Sequence, residues 1–440
     1  IIFLEGNWYR KQMIKKFSKY VIQSVAGMVG ISVYILADTF FISKHSGADG
    51  LTVLNLVLPI YGLIYAIGAM IGIGSATRYT LKKAQYEKDI DFYFIHSILW
   101  CMIISIPFIL SGIFFPKQVL EMMGADQHIA ELGTGYLRIV LIDTPFFMMN
   151  YTFTAFARND NATTTAMIGS LSGSIFNIIF DYIFMFPMGL GLTGAALATA
   201  ICPVVTMIIC CTHYFGKQNS VGFKWKFPSF QYLFSCCQLG ISAFVGEIAS
   251  AVTTIVFNML ILHIAGNIGI AAYGVIANIS LVAMSVFNGI SQGTQPLISY
   301  TYGSRKLKDV KMLLRLGLII TFVVQIIVIA GTWIFTDSFI DIFNSEGNEI
   351  LLYYAHSGMR FYFLGYLFAG VNIMLASYFA AIDRTILAFV ASILRGVLAI
   401  TVCAVIMSRL WGMNGVWLSF LVSEIVTFFV ILIMNRSKNV

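Results

Sequence analysis

The stretch that decides the fold runs from residue 150 to residue 213 and reads NYTFTAFARNDNATTTAMIGSLSGSIFNIIFDYIFMFPMGLGLTGAALATAICPVVTMIICCTH. It contains two apolar runs, Thr163–Phe186 and Leu192–His213, joined by the tight turn PMGLG. Each run has about the twenty residues that a helix needs to cross a bilayer. The stretch therefore predicts two consecutive membrane-spanning helices.

Both predicted helices carry polar side chains at membrane depth. Asn177 and Asp181 lie one helical turn apart in the first run and share a face, and Thr199 lies in the second run. A carboxylate in hydrocarbon costs roughly 3 kcal/mol on insertion scales, so an Asp inside a span indicates a functional site. The alternative is a structural Asp whose hydrogen bonds hold two helices together.

The composition of the whole chain agrees with a membrane protein. The 440 residues are 59% hydrophobic and only 11% charged, whereas a soluble domain is about 25% charged. The net charge of +7 is divided among short loops, which favours membrane orientation over nucleic-acid binding. The seven Cys residues lack the spacing of a metal site and are expected to be small core residues.

Apolar runs of roughly 20–30 residues recur along the chain and predict an all-α polytopic membrane protein with twelve transmembrane helices. The predicted spans are about 17–43, 51–77, 92–115, 130–155, 163–187, 192–214, 231–263, 267–298, 311–335, 350–381, 385–408 and 412–435.

Most Lys and Arg residues lie on one side of these predicted spans. With the N-terminus inside, 21 of them flank the cytoplasmic ends of the spans, and only Lys44, Lys117 and Arg409 flank the opposite ends. Cytoplasmic loops carry an excess of Lys and Arg in membrane proteins. The sequence therefore predicts that both termini are cytoplasmic.

Three pairs of similar segments indicate an internal repeat. The pairs are GIGSATRYT from Gly72 with GISQGTQPL from Gly289, FARNDNATTTA from Phe156 with FAAIDRTILA from Phe379, and GLTGAALATA from Gly191 with GMNGVWLSFL from Gly412, at offsets of 217, 223 and 221 residues. They predict an N-terminal lobe (1–220) and a C-terminal lobe (221–440) of six helices each. Because each lobe has an even number of spans, the two are parallel and related by a pseudo-two-fold axis along the membrane normal, around a central cavity.

Asp38, Asp181 and Thr199 come from three helices of the first lobe and are predicted to share a depth in the outer leaflet, with Asn177 one turn deeper. Two carboxylates, an amide oxygen and a hydroxyl suit a hard monovalent cation. They also suit proton exchange, since two close carboxylates cannot both ionise cheaply. The sequence alone does not decide between Na⁺ and H⁺.

Three further polar residues are candidates for a substrate cavity. Glu247 lies at mid-depth of the seventh helix, in SAFVGEIASAV, and Asp143 lies at mid-depth of the fourth, in RIVLIDTPFF, where Pro145 predicts a kink. Asn150 belongs to the aromatic and Met-rich run PFFMMNYTF, which is suited to lining a cavity. The structural alternatives are a carboxylate bonded to neighbouring hydroxyls and an Asp that caps backbone donors freed by the kink.

Arg395 and Glu424 are predicted at similar depths in neighbouring helices, where they form a buried structural ion pair. The acids embedded in the spans outnumber this one embedded base; they are Asp38, Asp143, Asp181, Glu247 and Glu424. Such an excess favours cationic ligands over anionic ones.

No nucleotide-binding loop, nucleophile elbow or zinc signature occurs in the sequence. We therefore expect neither an enzyme nor a protein with a bound cofactor, and an ATP-driven pump would need a nucleotide domain that this chain lacks.

Several segments together resemble the multidrug and toxic compound extrusion (MATE) family, and its MepA-like bacterial branch in particular. They are VYILADTFFIS at the end of the first helix, FNIIFDYIFMF, GLTGAALATAI, AGNIGIAAYGV and LWGMNGVWLSFLVSEI. The likeness extends over essentially the whole chain.

This resemblance implies a secondary antiporter of the bacterial cytoplasmic membrane, expected to be a monomer. Such antiporters export organic, often cationic, small molecules against an inward H⁺ or Na⁺ gradient, by rocker-switch alternation between inward-open and outward-open lobes. The cation site of the family matches Asp38, Asn177, Asp181 and Thr199, which would be metal ligands only with Na⁺ coupling. An acidic residue in the seventh helix of some members matches Glu247.

The chain departs from the family pattern at two places. Many relatives have a Pro early in the first helix, where this chain has VIQSVAGMVG, and some sodium-type members have an Asp in the tenth helix, where RFYFLGYLFAGVNIMLASYFAA has none. The alternative functions are a lipid-linked oligosaccharide flippase of the same superfamily, against which the acidic excess argues, and a non-transporting membrane receptor or enzyme.

Overall fold

The computed structural model describes residues 2–343 and 348–437, and every regular element in these two ranges is a helix. Lys438, one of the residues assigned to the cytoplasmic side, lies outside the described residues. The predicted all-α fold is confirmed.

Twelve helices long and apolar enough to span a membrane can be distinguished in the described residues. They are α1 (Tyr9–Gly47), α2 (Asp49–Ala84), α3 (Tyr93–Phe114), α4 (Gln127–Ile142 with Thr144–Asn159), α5 (Thr163–Met185), α6 (Gly191–Tyr214), α7 (230–265), α8 (267–303), α9 (Leu307–Ile334), α10 (Glu349–Ala381), α11 (385–411) and α12 (413–436). Two short helices, Pro116–Met122 and Thr336–Phe343, follow α3 and α9. The first two helices extend beyond the predicted 17–43 and 51–77, because hydropathy marks the hydrocarbon-crossing part of a helix and not its polar ends.

The backbone repeats its left-handed residues at equivalent places in the two halves of the chain. The pairs are Gly47 with Gly266, Gly191 with Gly412, and Asn161 with Asp383, at offsets of 219, 221 and 222 residues. Gly47 and Gly266 have φ of 58° and 64° and separate α1 from α2 and α7 from α8. Glycine adopts a positive φ at little cost, so the glycines at these two positions permit the breaks between the helices. The predicted internal repeat is therefore present in the backbone.

The buried side chains form separate cores, and α1 and α7 each contribute to two of them. Phe17 and Val21, near the start of α1, pack in the core of the second half around Trp417, whereas Ile42 packs in a core of the first half. Conversely, Cys236, near the start of α7, packs in a first-half core. The beginnings of α1 and α7 thus cross to the opposite half of the molecule.

This crossing closes one end of the helix bundle, which we call the basic end because Lys83, Lys224, Lys306 and Arg384 lie there. A Cβ on Gly240 of α7 would lie 1.9 Å from the carbonyl oxygen of Met70 on α2, and one on Gly74 of α2 would lie 2.2 Å from the carbonyl oxygen of Cys236. A Cβ on Gly289 of α8 would lie 2.5 Å from Cα of Val25 on α1. Only glycine permits backbones to approach this closely.

Arg78 adds polar contacts between the halves at the basic end. Its guanidinium donates to the carbonyl oxygen of Ser235 at 2.8 Å and pairs with Asp383 at 3.1 Å. Gln295 of α8 donates to Thr77 of α2 at 3.0 Å. Hydrogen bonds and backbone packing therefore act together to hold this end closed.

The connection between α6 and α7 is fixed to the first half by Asp160. The buried carboxylate accepts hydrogen bonds from the backbone and hydroxyl of Ser220, pairs with Lys83 at 2.9 Å and lies 2.9 Å from His213. Burial opposes ionisation of Asp160, but the hydrogen bonds from Ser220 and Lys83 outweigh it and hold its pKa below its usual value. The connection is thus part of the first half up to the start of α7.

Candidate functional site

A polar cluster lies inside the first half, where α1, α5 and α6 meet. Its side chains are almost excluded from solvent: Asn177 and Asp181 are 0% exposed, Thr199 5% and Asp38 7%. The four residues come from three helices, and the structure brings them together as their shared predicted depth required.

Small residues bring α5 and α6 close enough to form this cluster. A Cβ on Gly173 of α5 would lie 2.6 Å from the hydroxyl of Thr206 on α6, and one on Gly194 of α6 would lie 2.8 Å from the backbone of Phe184 on α5. The helices therefore meet backbone to backbone, so that short side chains can bridge them.

Asn177 links the carboxylate of Asp181 to Thr199. Its neighbours orient the amide so that the nitrogen donates to Oδ2 of Asp181 at 3.0 Å, while the amide oxygen accepts from the hydroxyl of Thr199 at 3.1 Å. The i, i+4 spacing on α5 produces the first contact, and the close approach of α6 produces the second.

The carboxyl groups of Asp38 and Asp181 lie close enough to interact electrostatically. Within residues 2–343 and 348–437, Oδ1 of each has no hydrogen-bond partner. Two carboxylates side by side in a medium of low polarity repel strongly. The repulsion disappears when the pair holds one proton, and it falls when a monovalent cation lies between the free oxygens. The arrangement is therefore suited to exchanging a single positive charge.

Aromatic hydroxyls surround this pair on its inner side. Tyr136 of α4 and Tyr61 of α2 both interact electrostatically with Asp38, and their hydroxyls lie 3.5 Å apart. Tyr61 and Tyr136 are 6% and 1% exposed. Tyr34 of α1 lies one turn before Asp38, so it faces the same way along the helix.

Glu247 of α7 reaches across to the first half of the molecule. Its Oε1 accepts a hydrogen bond from the hydroxyl of Tyr151 on α4 at 3.0 Å. The ring of Tyr151 packs edge-on against Tyr65 with centroids 6.2 Å apart, and Tyr65 packs against Phe147 at 5.7 Å. Glu247, Tyr151 and Tyr65 are all half-buried, and the hydrogen bond from Tyr151 to Glu247 places them where the two halves of the molecule meet.

The two other predicted cavity residues lie on α4. Asp143 lies at a 44° bend between Gln127–Ile142 and Thr144–Asn159, so the predicted kink is present. Its side chain makes no capping hydrogen bond to the helix that follows, and Oδ2 is unpaired. Asn150 is half-buried and its Oδ1 is also unpaired. Asp143 and Glu247 both interact electrostatically with Tyr65, which places the two acids around one ring.

Arg395 and Glu424 meet in the core of the second half. Nε of Arg395 lies 2.7 Å from Oε1 of Glu424, and Nδ2 of Asn372 donates to Oε2 at 2.7 Å. The Glu424 side chain is 1% exposed. Arg395 lies on a π-helical turn, Leu394–Leu398, a type of turn that is often found at functional positions.

The comparisons with known proteins agree with this architecture. The family model MatE matches residues 24–183 and 242–405, one copy in each half of the chain. The chain belongs to the MatE family. It is therefore a multi-pass membrane protein of a transporter family.

Two curated relatives of this MatE-family chain are named multidrug export protein MepA. The protein from Staphylococcus saprophyticus is 26% identical over 426 residues, covering 94% of this chain and 92% of the relative. The protein from Staphylococcus aureus is 26% identical over 421 residues, with the same coverage of both chains. The predicted resemblance to the MATE family and its MepA-like branch is confirmed.

Solved structures show the same fold. An outward-facing multidrug resistance MATE transporter of the MOP superfamily has a TM-score of 0.89 at 21% identity, covering 96% of this chain and 95% of that one. A MATE transporter in complex with MaL6 has a TM-score of 0.90 at 21% identity, covering 96% of each chain. At this identity the likeness establishes the fold.

Among residues 2–343 and 348–437, no three His, Cys, Asp or Glu side chains come together in a way that could hold a metal ion. The oxygen-rich set around Asp38 differs in kind, since it combines two carboxylates with an amide and a hydroxyl. Such ligands fit a hard monovalent cation better than a transition metal.

Sequence reasoning missed the tyrosines that lie near Asp38 or Glu247, namely Tyr34, Tyr61, Tyr65, Tyr136 and Tyr151. Aromatic residues make up 15% of the chain, so their abundance hides the few that face inward. The only available signal was spacing: Tyr34 lies one turn before Asp38, and Tyr61 and Tyr65 lie one turn apart on α2.

Proposed function

We propose that this MatE-family protein is a multidrug exporter that couples the outward movement of organic, often cationic, compounds to the inward movement of H⁺ or Na⁺. One observation carries the proposal: the buried Asp38–Asp181 carboxyl pair, with Asn177 and Thr199 as its supporting ligands. A membrane protein gains nothing in stability from two facing carboxyl groups with free oxygens. The pair is explained if a proton or cation occupies it during part of a transport cycle.

Occupation of the pair would bias the lobes between two arrangements. A positive charge entering between Asp38 and Asp181 removes their repulsion, so α1 and α5 can approach. Its release restores the repulsion. An ion shifts a conformational equilibrium only by the difference in its affinity for the two states. In this proposal the affinity differs because the two carboxyl groups are closer together in one state than in the other. The coupling ion is thus a substrate of the protein and not a resident cofactor.

The cleft between the lobes is the proposed substrate site. Glu247 offers a carboxylate, Tyr65 and Phe147 offer ring faces, and Asp143 and Asn150 offer unpaired oxygens nearby. A cation is held by carboxylate charge and by ring quadrupoles together. The staphylococcal relatives named multidrug export proteins support the export of drug-like small molecules, and no nucleic acid or protein partner is needed.

We assign the basic end to the cytoplasm, since 21 of the Lys and Arg residues lie on that side. Both termini are then cytoplasmic, in the cytoplasmic membrane of a bacterium. The contacts of Gly240, Gly289 and Arg78 then hold the halves together on the cytoplasmic side. Rocking of lobes 1–220 and 221–440 that separates these contacts would open the basic end.

The Arg395–Glu424 ion pair is proposed to be structural. Arg395 pairs with the carboxylate and Asn372 donates a hydrogen bond to it, and the group lies within the core of one lobe rather than between the lobes. Its role would be to fix the packing of α10, α11 and α12 in a monomer.

The test is efflux of ethidium from proteoliposomes with a pH gradient and a Na⁺ gradient imposed separately. Efflux driven by either gradient is expected from the wild type, and Asp38→Asn and Asp181→Asn should each abolish it while the protein stays folded. Asp337→Asn is the matched control, because its carboxylate is 80% exposed and lies outside the site.

Full activity in Asp38→Asn or Asp181→Asn would remove the coupling assignment. Failure of both gradients to move the dye in the wild type would overturn the antiporter proposal and favour the flippase. Efflux driven by Na⁺ alone would identify the four oxygen ligands as a Na⁺ cage.

A further inference from the structure

The connection between α6 and α7 has large aromatic side chains on its outer side. Trp225 and Phe227 lie in the connection, and Phe230 and Phe234 follow at the start of α7. All four are between 63% and 82% exposed. We call them the aromatic edge. Apolar side chains exposed together in this way mark a site of interaction with a membrane or another protein.

A lysine in the same stretch packs inward instead. The ammonium of Lys226 lies 4.1 Å from the ring centroid of Phe92 and 4.3 Å from that of Tyr232. It also donates to the hydroxyl of Tyr232 at 3.0 Å and lies 3.4 Å from a carboxylate oxygen of Asp89. In a loop that faces water, charged groups are normally outside and aromatic rings inside. The inverted arrangement indicates that the outer side of the connection faces a medium less polar than water.

Contacts with α3 place the aromatic edge at the level of a membrane boundary. The backbone nitrogen of Ser229 donates to Nε2 of His96 at 3.1 Å, and the ring of Phe230 lies 4.8 Å from that of Trp100. These partners lie three and seven residues after the first residue of α3, which is within about 10 Å of the end of the span. Amphipathic rings at this depth lie in the interface between headgroups and hydrocarbon.

The surroundings of the aromatic edge are basic. Residues 78–91 and 215–230, which meet through the pair of Lys224 with Asp89 at 2.8 Å, contain seven Lys or Arg residues and three Asp or Glu residues. Lys88 and Lys217 are exposed, and neither has an acidic partner in the described part of the chain. Lysines at a membrane surface attract anionic headgroups, with a gain in affinity of about fivefold for each one.

We propose that the aromatic edge, together with Lys88 and Lys217, is a docking surface for anionic phospholipid in the leaflet at the basic end. The rings lie among the headgroups, and the two ammonium groups pair with lipid phosphates. A free phosphate ion would leave the rings uncovered, so the occupant is a lipid. The inference depends neither on the coupling ion nor on the compound that is transported.

Quenching of tryptophan fluorescence by brominated lipids tests this docking surface. The whole chain is reconstituted in vesicles of phosphatidylcholine and phosphatidylglycerol, with bromine on the acyl chains of one lipid at a time. The signal of Trp225 is the difference between the wild type and Trp225→Phe. We expect phosphatidylglycerol to quench this signal with about fivefold or greater preference over phosphatidylcholine, and added salt to reduce the preference.

Lysine variants separate pairing with the headgroup from contact of the rings with lipid. The double variant Lys88→Gln, Lys217→Gln should lose the preference for phosphatidylglycerol and keep the quenching by both lipids. The double variant Lys44→Gln, Lys117→Gln is the matched control, because it removes two lysines from the opposite ends of the spans. It should leave the preference unchanged. A single symmetrical peak in size-exclusion chromatography shows that each variant is folded.

Equal quenching of Trp225 by the two lipids in the wild type would overturn the proposal, since the headgroup would then have no influence. Quenching by dissolved iodide and by neither lipid would also overturn it, because the rings would face water. Protection from the lipids and from iodide would overturn it too, and a dimer in analytical ultracentrifugation would then assign the surface to a second copy of the chain. If Trp225→Phe fails to fold, Phe227→Trp replaces it, because a tryptophan at that exposed position adds an equivalent signal.

Discussion

Alanine at position 240 tests whether contact between α7 and α2 holds the basic end closed. A Cβ on Gly240 would lie 1.9 Å from the carbonyl oxygen of Met70, whereas ordinary contact begins at 3.4 Å. The two helices must therefore move apart by about 1.5 Å, the difference between these distances. Overpacking of this kind costs about 1–3 kcal/mol.

The cost falls only on the state in which α2 and α7 touch, so the ratio of closed to open basic ends should drop about 5- to 150-fold. Cys236 reports this change, because it is 1% exposed at the same contact. We expect a membrane-impermeant maleimide added at the basic end to label Cys236 faster in Gly240→Ala, and ethidium efflux to slow. Site-resolved mass spectrometry measures the labelling.

Gly274→Ala on α8 is the matched control, since a Cβ at that glycine meets nothing within 4 Å. It should leave both labelling and efflux unchanged. If Gly240→Ala is folded, exports at the wild-type rate and leaves Cys236 unlabelled, the contact does not hold the end closed and the reasoning is refuted.

Three other substitutions test separate parts of the molecule. Arg395→Gln should lower stability in detergent by about 3–5 kcal/mol, because it leaves the buried Glu424 without its partner, and a denaturation curve measures this. Glu247→Gln should weaken binding of ethidium about tenfold, or about 1.4 kcal/mol, and leave an uncharged dye unaffected in a fluorescence titration. Asp160→Asn should lower the melting temperature at pH 7. Hydrogen bonds hold the pKa of Asp160 below its usual 3.8. The ionised carboxylate therefore stabilises the folded protein fully above pH 3.8, and this stabilisation is lost as the pH falls through the lowered pKa. The melting temperatures of the wild type and the variant should converge only in that acid range.

Each of these substitutions has a control within the chain. The double variant Arg395→Gln, Glu424→Gln should recover part of the lost stability, and no recovery would contradict an ion-pair role. Glu131→Gln removes an exposed carboxylate and should not alter ethidium binding. Asp89→Asn removes an exposed carboxylate that pairs with Lys224. If it lowers the melting temperature as much as Asp160→Asn does, the buried Asp160 carboxylate does not stabilise the protein more than an exposed one.

The bilayer explains why much of the fold is readable from the sequence. Membrane spans must be apolar, so hydropathy locates them. Glycines such as Gly47 and Gly266 lie where the chain reverses between consecutive spans, because the positive φ at those positions favours glycine. Charged residues at membrane depth are rare, which is why Asp38 and Asp181 stood out. Their depths could be compared because helix rise per residue is constant.

Features that depend on helix rotation were not readable in the same way. The crossing of α1 and α7 into opposite halves, and the role of Arg78 in joining the halves, depend on which face each helix turns to its neighbours. Tyr61 and Tyr65 have the composition of lipid-facing residues. Only packing against α4 distinguishes them, since Tyr61 contacts Phe147 and Tyr65 contacts Tyr151, and these contacts join residues far apart in the sequence.

The two halves of the chain repeat the backbone but not the polar cluster. With the offset that relates Gly47 to Gly266, the counterpart of Asp38 is Phe257. With the offset that relates Gly191 to Gly412, the counterpart of Thr199 is Phe420. Both phenylalanines are buried in the core of the second half. At these two positions the second half therefore has buried phenylalanines in place of the polar cluster, and it contributes the acid Glu247. If the pair binds the coupling ion as proposed, the second half has no equivalent of that site at these positions, and the two halves would respond differently to the ion.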